Sequence, residues 1–143
     1  MTLRPEFVKN IEEVPEELHY LDEPSDRYRS RRRLGKATGA ARLGINYSRL
    51  RPGQVSSKFH FHTQEEEFVF IVSGRAILRY GEATYELKPK DAVSLRPGGP
   101  AHQLRNDFEE DCIYLEIGTR DSEDTVLYPE DGIRRKGDVI THL

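Results

Sequence analysis

FHFHTQEEEFVFIVSG, residues 59–74, is the stretch of sequence that decides the fold. His60 and His62 are two residues apart, so an extended strand places both imidazoles on one face and the flanking phenylalanines on the other. The apolar run 68–72 then predicts a buried strand, and the Ser-Gly pair after it predicts a turn. A His-x-His strand followed by a strand that begins with glutamates can hold a divalent metal ion. On this stretch alone, histidines that are merely exposed or hydrogen-bonded fit equally well.

Strand parity selects one glutamate from the run of three. Period 2 places Glu65 and Glu67 on the same face as the apolar residues Val69 and Ile71. Glu66 points to the other face and becomes the candidate only if a bulge intervenes. Glu67 is therefore the predicted carboxylate ligand.

A second stretch, DAVSLRPGGPAHQLRN at residues 91–106, supplies a further histidine. Its dense prolines and glycines predict a rigid corner that delivers His102 to the start of a strand at 102–105. A third imidazole arriving from another strand completes a set of three histidines and one carboxylate. Such a set leaves one or two metal positions open to water or a ligand.

The two stretches together resemble the two cupin motifs. In the first stretch, H-x-H is followed after four residues by E and after six more by G; in the second, P-x-G is followed after two residues by H and after three more by N. The resemblance spans about residues 43–118. It implies that four residues bind one metal ion: His60, His62, Glu67 and His102.

Two glycines of the cupin pattern are displaced or missing. Gly53 lies six residues before His60, where the pattern has five. The leading glycine of the second motif is replaced by Asp91, or by Lys90 if one residue is inserted. Both changes fall at turns, so they affect local turn geometry and leave the ligand set intact.

Short strand signals separated by glycine and proline recur from residue 43 onward. They predict an all-β fold, an antiparallel jelly-roll barrel, with strands at 44–50, the histidine strand, 67–72, 76–80, 83–87, 92–95, 102–105 and 112–117. We interpret residues 1–143 as a single cupin domain with its barrel core at 43–118. Residues 1–35 are predicted to be an N-terminal arm that pairs across a homodimer, and residues 119–143 a largely irregular C-terminal tail that folds back over the barrel.

The composition limits which classes of binding partner and which cellular compartment we expect. The net charge of −3 gives no general attraction to nucleic acid or to anionic membranes, and the basic run at 27–33 is interpreted as a solvated surface. Cys112 is the single cysteine, which excludes an intrachain disulfide and indicates a reducing, cytoplasmic compartment. We expect it to be a small core residue. No apolar run in the sequence approaches the length of a membrane span.

The resemblance to cupins implies a metal-dependent enzyme acting on a small polar metabolite, as a dioxygenase, isomerase or lyase. The ion would be iron, manganese, zinc or nickel. The alternative is a binding protein that holds a sugar or carboxylate without turnover. Strand parity offers five candidates for a general base or substrate clamp: Tyr47, Arg49, Gln54, Gln103 and Tyr114. Glu116 shares a strand face with the last of these, whereas His19 and His142 lack ligand spacing and are expected outside the site.

Overall fold

The computed structural model of the chain describes residues 3–21 and 26–143. These residues form one 3-10 turn (Ile11–Glu13), one short helix α1 (Leu34–Thr38) and thirteen strands. The strands are β1 (Glu17–Tyr20), β2 (Tyr28–Arg33), β3 (Leu43–Leu50), β4 (Phe61–His62), β5 (Glu67–Ser73), β6 (Ala76–Tyr80), β7 (Ala83–Leu87), β8 (Ala92–Leu95), β9 (His102–Arg105), β10 (Cys112–Thr119), β11 (Val126–Tyr128), β12 (Ile133–Lys136) and β13 (Val139–His142). Within the described ranges, no helix has the length and apolar character needed to cross a membrane.

The strands form two antiparallel layers. One is a six-stranded sheet in the order β1-β2-β3-β10-β5-β8. The other consists of β7-β6-β9 and β13-β12-β11-β4, which meet at an isolated bridge between His60 and His102. The predicted all-β jelly-roll barrel is confirmed, and its second layer joins two of the histidines directly.

Alternation along β5 sorts the inside of the barrel from the outside. Val69 and Ile71 are buried, whereas Phe68 and Val72 are exposed on the opposite face. The buried side chains pack with leucines from β3, β6, β8 and β9 into one core cluster. Cys112 is fully buried in this cluster, which confirms its predicted role as a core residue.

The N-terminal region is part of the barrel wall. β1 and β2, which lie in the predicted arm, are two strands of the six-stranded sheet. The basic run therefore does not form a uniform solvated surface: Arg29 and Arg31 face the interior cavity, whereas Arg32 faces a separate small cleft. Period 2 divides these arginines between two faces, and the cavity face tolerates charge because it is polar.

The C-terminal residues do fold back over the barrel, but the prediction that they are largely irregular is wrong. β11 pairs with the histidine strand, with Val126 opposite His62, and β12 pairs with β13. The β12–β13 connection is the two-residue turn Gly137-Asp138, in which Gly137 has φ +57°. Gly-Asp is a hairpin signal, and main-chain hydrogen bonds hold the strands despite their polar composition.

The turn after β7 accommodates the missing motif glycine. Lys90 has φ +77° and is the one non-glycine residue with positive φ in the described part of the chain. Its amide donates to the carbonyl of Ile71, and the Asp91 carboxylate accepts from the amide of Lys88. Lys90 thus has the left-handed backbone that favours glycine, which supports the interpretation with one inserted residue.

Candidate metal centre and cavity

Four side chains from three strand regions converge inside the barrel. The Oε1 atom of Glu67, at the start of β5, lies 3.6 Å from Nε2 of His60, 3.0 Å from Nε2 of His62 and 3.2 Å from Nε2 of His102. The bridge between His60 and His102 brings the second and first stretches together, and β11 covers His62. The four residues that the sequence predicted as a metal set therefore lie within contact of one another.

The other ring nitrogen of each imidazole points away from the cluster toward an acceptor. These Nδ1 partners are the carbonyl oxygens of Lys58 (2.7 Å from His60) and Pro100 (3.4 Å from His102) and the carboxylate of Asp124 (2.6 Å from His62). A carbonyl or carboxylate can only accept, so each Nδ1 must be the protonated, donating nitrogen. In the neutral imidazole this leaves the Nε2 lone pair directed at the centre.

This donor set fits a divalent cation. Three Nε2 lone pairs and a carboxylate oxygen facing one another repel unless a positive charge lies between them. Histidines that ligate metals carry the same outward hydrogen bond from the second nitrogen, because it fixes the tautomer and the ring orientation. Imidazole and carboxylate together suit iron, manganese, zinc or nickel.

The carboxylates of the cluster favour positive charge on the His62 imidazole. Burial lowers the pKa of His62, but the carboxylates of Glu67 and Asp124 outweigh burial and raise it to about 9. Burial alone would raise the pKa of Glu67; hydrogen bonds from the three imidazoles hold it far below its usual range. The cluster therefore attracts positive charge strongly, whether as protons or as a metal ion.

Asp124 is a contact of the centre that the sequence did not predict. It is 8% exposed, and its Oδ2 accepts from Nδ1 of His62. Its Oδ1 accepts from the backbone amides of Gln64 and Glu65 at 2.8 Å and 3.0 Å. One carboxylate thus orients a candidate ligand and fixes the loop between the two ligand strands. Asp124 lies outside both motifs, so spacing offered no signal for it.

The cluster opens into a cavity of about 620 Å³. Its wall on the six-stranded sheet carries an ion pair, in which Nη1 of Arg29 donates to Oε2 of Glu116 at 2.8 Å. The two side chains are 11% and 18% exposed. Glu116 is the cross-strand partner of Val69, two residues along from Glu67, so its carboxylate is on the same wall as the candidate ligand.

The structure places the five predicted base or clamp candidates in different environments. Gln103 lines the cavity, and its Nε2 donates to the carbonyl of Ser57. Tyr114 is fully buried in the core and does not line the cavity, and burial raises the pKa of its hydroxyl. Tyr47 and Arg49 line the small separate cleft on the opposite face of the sheet.

Gln54, the fifth candidate, also lies outside the cavity lining, where its side-chain oxygen accepts from the amide of Tyr28. The expectation that Tyr47, Arg49, Gln54 and Tyr114 reach the cavity is therefore wrong. For Tyr47 and Arg49, alternation separates the two faces of a strand but does not say which face is inside, because the interior here is itself polar. Tyr114 is on the inner face but lies in the apolar core, and Gln54 lies in a turn.

Sequence reasoning also missed part of the cavity lining. His19, expected outside the site, lines the cavity together with Arg31 from β2 and Arg135 from β12. Tyr128 lines it as well and lies beside His60, with ring centroids 6.1 Å apart. These residues come from segments interpreted as arm and tail, and pairing with distant strands brings them to the site.

The family model of the cupin domain matches residues 46–118, just over half of the chain. The chain belongs to the cupin family. A comparison with curated proteins gave no match.

Solved structures share most or nearly all of this architecture. A protein provisionally described as a sugar phosphate isomerase, from Acidithiobacillus ferrooxidans, has 28% identity and a TM-score of 0.88, with 96% of this chain and 92% of that chain covered. A sugar phosphate isomerase of the cupin superfamily from Silicibacter pomeroyi has 25% identity and a TM-score of 0.80, with coverage of 93% and 90%. A predicted oxalate decarboxylase from Thermotoga maritima, 18% identical with a TM-score of 0.67, covers 78% of this cupin and 97% of its own length. At that identity the last similarity concerns the fold alone.

Proposed function

We propose that this cupin is a metal-dependent isomerase whose substrate is a small phosphorylated sugar. The observation that carries the proposal is the convergence of three imidazole Nε2 atoms on the Glu67 carboxylate in a cavity lined by arginines. The names of two relatives that align over nearly the full chain support the reaction class.

His60, His62, Glu67 and His102 would hold one divalent ion, either iron, manganese, zinc or nickel. A bound ion of this kind supplies Lewis-acid polarisation of a carbonyl or hydroxyl oxygen. The four residues use all their central donor atoms, so acid–base chemistry must come from another group on the cavity wall.

Glu116 is the proposed proton-transfer residue. Its Oε2 is bound by Arg29, and no hydrogen bond to its Oε1 occurs in the described part of the chain. Aldose–ketose interconversion needs one base that removes the proton from the carbon beside the carbonyl and returns it to the carbonyl carbon, while the hydroxyl proton moves to the carbonyl oxygen. A carboxylate that is held from one side and free on the other can carry the proton in both directions.

The same ion pair is the observation that favours the alternative, binding without turnover. Arg29 occupies Oε2 of Glu116, so this carboxylate already has a partner within the protein and is not required to act on a substrate. In that case the cavity would hold a sugar or carboxylate ligand, and the cluster would serve only to position it.

Solvent deuterium incorporation tests the isomerase directly. Protein reconstituted in turn with manganese, iron, zinc and nickel is incubated with a panel of aldose and ketose phosphates in D₂O and followed by proton NMR. We expect exchange at the carbon beside the carbonyl in the wild type, and at least about 100-fold slower exchange in Glu116→Gln.

Glu109→Gln is the matched control, because it removes the same charge from an exposed position outside the cavity. Exchange at equal rates in the wild type and Glu116→Gln would reject Glu116 as the base. If the protein binds a ligand but catalyses no deuterium exchange with any of the four metals, the alternative of binding without turnover is favoured.

We also propose a homodimer formed through the outer face of the six-stranded sheet. Leu115 lies between Tyr47 and Phe70 on this face, and Ile117 lies beside Phe68, so the central strands present a continuous apolar surface. Phe68 is 36% exposed, although its strand is paired on both sides, with β10 and with β8. Contiguous exposed apolar surface of this kind marks association sites.

Light scattering tests the proposed dimer. It should give twice the chain mass for the wild type and the chain mass for Phe68→Glu; a monomeric wild type would reject the dimer.

A further inference from the structure

The basic side chains that line the cavity fall into two groups. One group has carboxylate partners: Arg29 pairs with Glu116, Arg33 with Glu17 and Lys58 with Asp131. The other group includes Arg31 and Arg135, which line the same cavity. Within residues 3–21 and 26–143, neither has a carboxylate within salt-bridge distance. Arg31 is half-buried, and Arg135 is exposed, with its guanidinium carbon 5.9 Å from the Tyr128 ring centroid. Neither guanidinium is neutralised by a carboxylate, so both remain available to an external anion.

Arg31 and Arg135 approach the cavity from opposite layers of the barrel. Arg31 is on β2 of the six-stranded sheet, on the same strand face as Arg29, and Arg135 is on β12 of the second layer. Burial and the charge of Arg29 lower the pKa of Arg31, so the site carries more positive charge than its own carboxylates compensate.

His19 lines the same cavity as these arginines. It is the cross-strand partner of Arg29 and lines the cavity with Arg31 and Arg135. Burial, followed by the positive charges of Arg29, Arg31 and Arg135, lowers the pKa of its imidazole. Three separate arginines therefore act on one histidine of the cavity wall.

We propose that His19, Arg31 and Arg135 form a phosphate subsite that holds the tetrahedral oxyanion of the substrate. Guanidinium forks from two walls bind different oxygens of a phosphate, and the imidazole N–H adds a third donor. The subsite uses β1, β2 and β12, whereas the candidate metal set uses β5, β9 and the strand region of His60 and His62. Both sets line the same cavity, so one substrate can occupy both. The assignment rests on the proposed function and names what recognises its substrate.

Calorimetric titration of inorganic phosphate into the protein tests the subsite without turnover. The titration is run on protein as purified and again after chelator treatment, because phosphate can also bind a metal ion. Arg31→Met and Arg135→Met keep the aliphatic stem and remove the charge. We expect each to weaken phosphate binding by roughly 10- to 100-fold, with and without metal.

Arg134→Met is the matched control. Arg134 is the neighbour of Arg135 on β12, is exposed and lies outside the cavity lining, so it removes the same charge from the opposite face. We expect it to bind phosphate within about twofold of the wild type. If Arg134→Met and Arg135→Met weaken phosphate binding equally, the effect comes from net charge alone, and the proposed subsite is wrong. The subsite is also wrong if phosphate binding is lost after chelator treatment and is unchanged by Arg31→Met.

Two further titrants distinguish a sugar phosphate from free phosphate as the ligand. Combined with the deuterium exchange experiment, they also test the subsite and the isomerase separately. Glucose 6-phosphate should bind more tightly than inorganic phosphate and depend on the same arginines, whereas glucose should not bind at this subsite. Arginine-dependent phosphate binding in a protein that exchanges no deuterium would retain the subsite and reject the isomerase. Exchange that is insensitive to Arg31→Met and Arg135→Met would retain the isomerase and reject the subsite.

Discussion

Replacing Asp124 by asparagine should weaken metal binding while the fold survives. In the wild type, Oδ1 accepts from the amides of Gln64 and Glu65, and Oδ2 accepts from Nδ1 of His62. Asparagine has one acceptor oxygen, so it cannot serve both sides. The two backbone amides are fixed donors and retain the oxygen, which turns the NH₂ group toward His62.

An NH₂ group facing Nδ1 reverses the preferred tautomer of His62. Nδ1 then becomes the acceptor and the proton moves to Nε2, which removes the lone pair that faces Glu67. Loss of such an outward partner typically lowers metal affinity by roughly 10- to 100-fold, which corresponds to about 1.4–2.7 kcal/mol. The hydrogen bond at stake is short, 2.6 Å, and to a charged acceptor, so we expect the upper half of that range.

Competition against a zinc chelator at fixed pH measures the affinity, and thermal unfolding of the metal-free protein measures the fold. Glu123→Gln is the matched control: it removes the adjacent negative charge, which is paired with Lys136 on the surface. Asp124→Asn should lose affinity with an unfolding temperature close to that of the control. Affinity within twofold of the control, or a parallel fall of affinity and unfolding temperature, would refute the tautomer argument.

Three further predictions concern the stability and reactivity of the barrel. Gly74→Ala should destabilise far more than Gly53→Ala in urea unfolding, by about 2 kcal/mol or more, because both have positive φ but only at Gly74 would the added Cβ meet backbone; equal losses would contradict this. Asn106→Ala should cost about 3 kcal/mol, because the buried amide donates to two carbonyls and accepts one N–H; a loss under about 1 kcal/mol would show that water replaces it. Burial raises the pKa of Cys112 to about 11, so at pH 8 its thiol should react with a disulfide reagent only on unfolding, and rapid labelling of the native protein would contradict that.

The sequence was most informative where spacing and parity act within one or two neighbouring strands. Glu67 was selected over Glu66 by alternation, and Glu67 does share the inner face with Val69 while Glu66 is exposed. The prediction of the His102 corner depended on the local conformational limits of proline and glycine. These are short-range constraints, so they can be read without knowing the tertiary fold.

What the sequence could not provide depends on pairing between distant segments. Asp124 reaches His62 because β11 adds to the histidine strand, 62 residues along the chain. Tyr47 and Arg49 face outward, although Asn46 on the same strand lines the cavity and the polar residue Ser48 is buried. A polar interior removes the hydrophobic contrast that normally identifies the inner face of a strand. Arg135 lies in a segment with few apolar residues, which predicts an irregular tail, whereas main-chain pairing with β11 and β13 organises it as a strand.

Metal content measured by mass spectrometry on protein reconstituted with manganese, iron, zinc or nickel and then desalted tests the central claim most directly. We predict one ion per chain in the wild type for at least one of these metals, and a stoichiometry near zero in His102→Ala, whose circular dichroism should match that of the wild type. A wild type that retains none of the four metals, or a His102→Ala protein that retains as much as the wild type, would contradict the account.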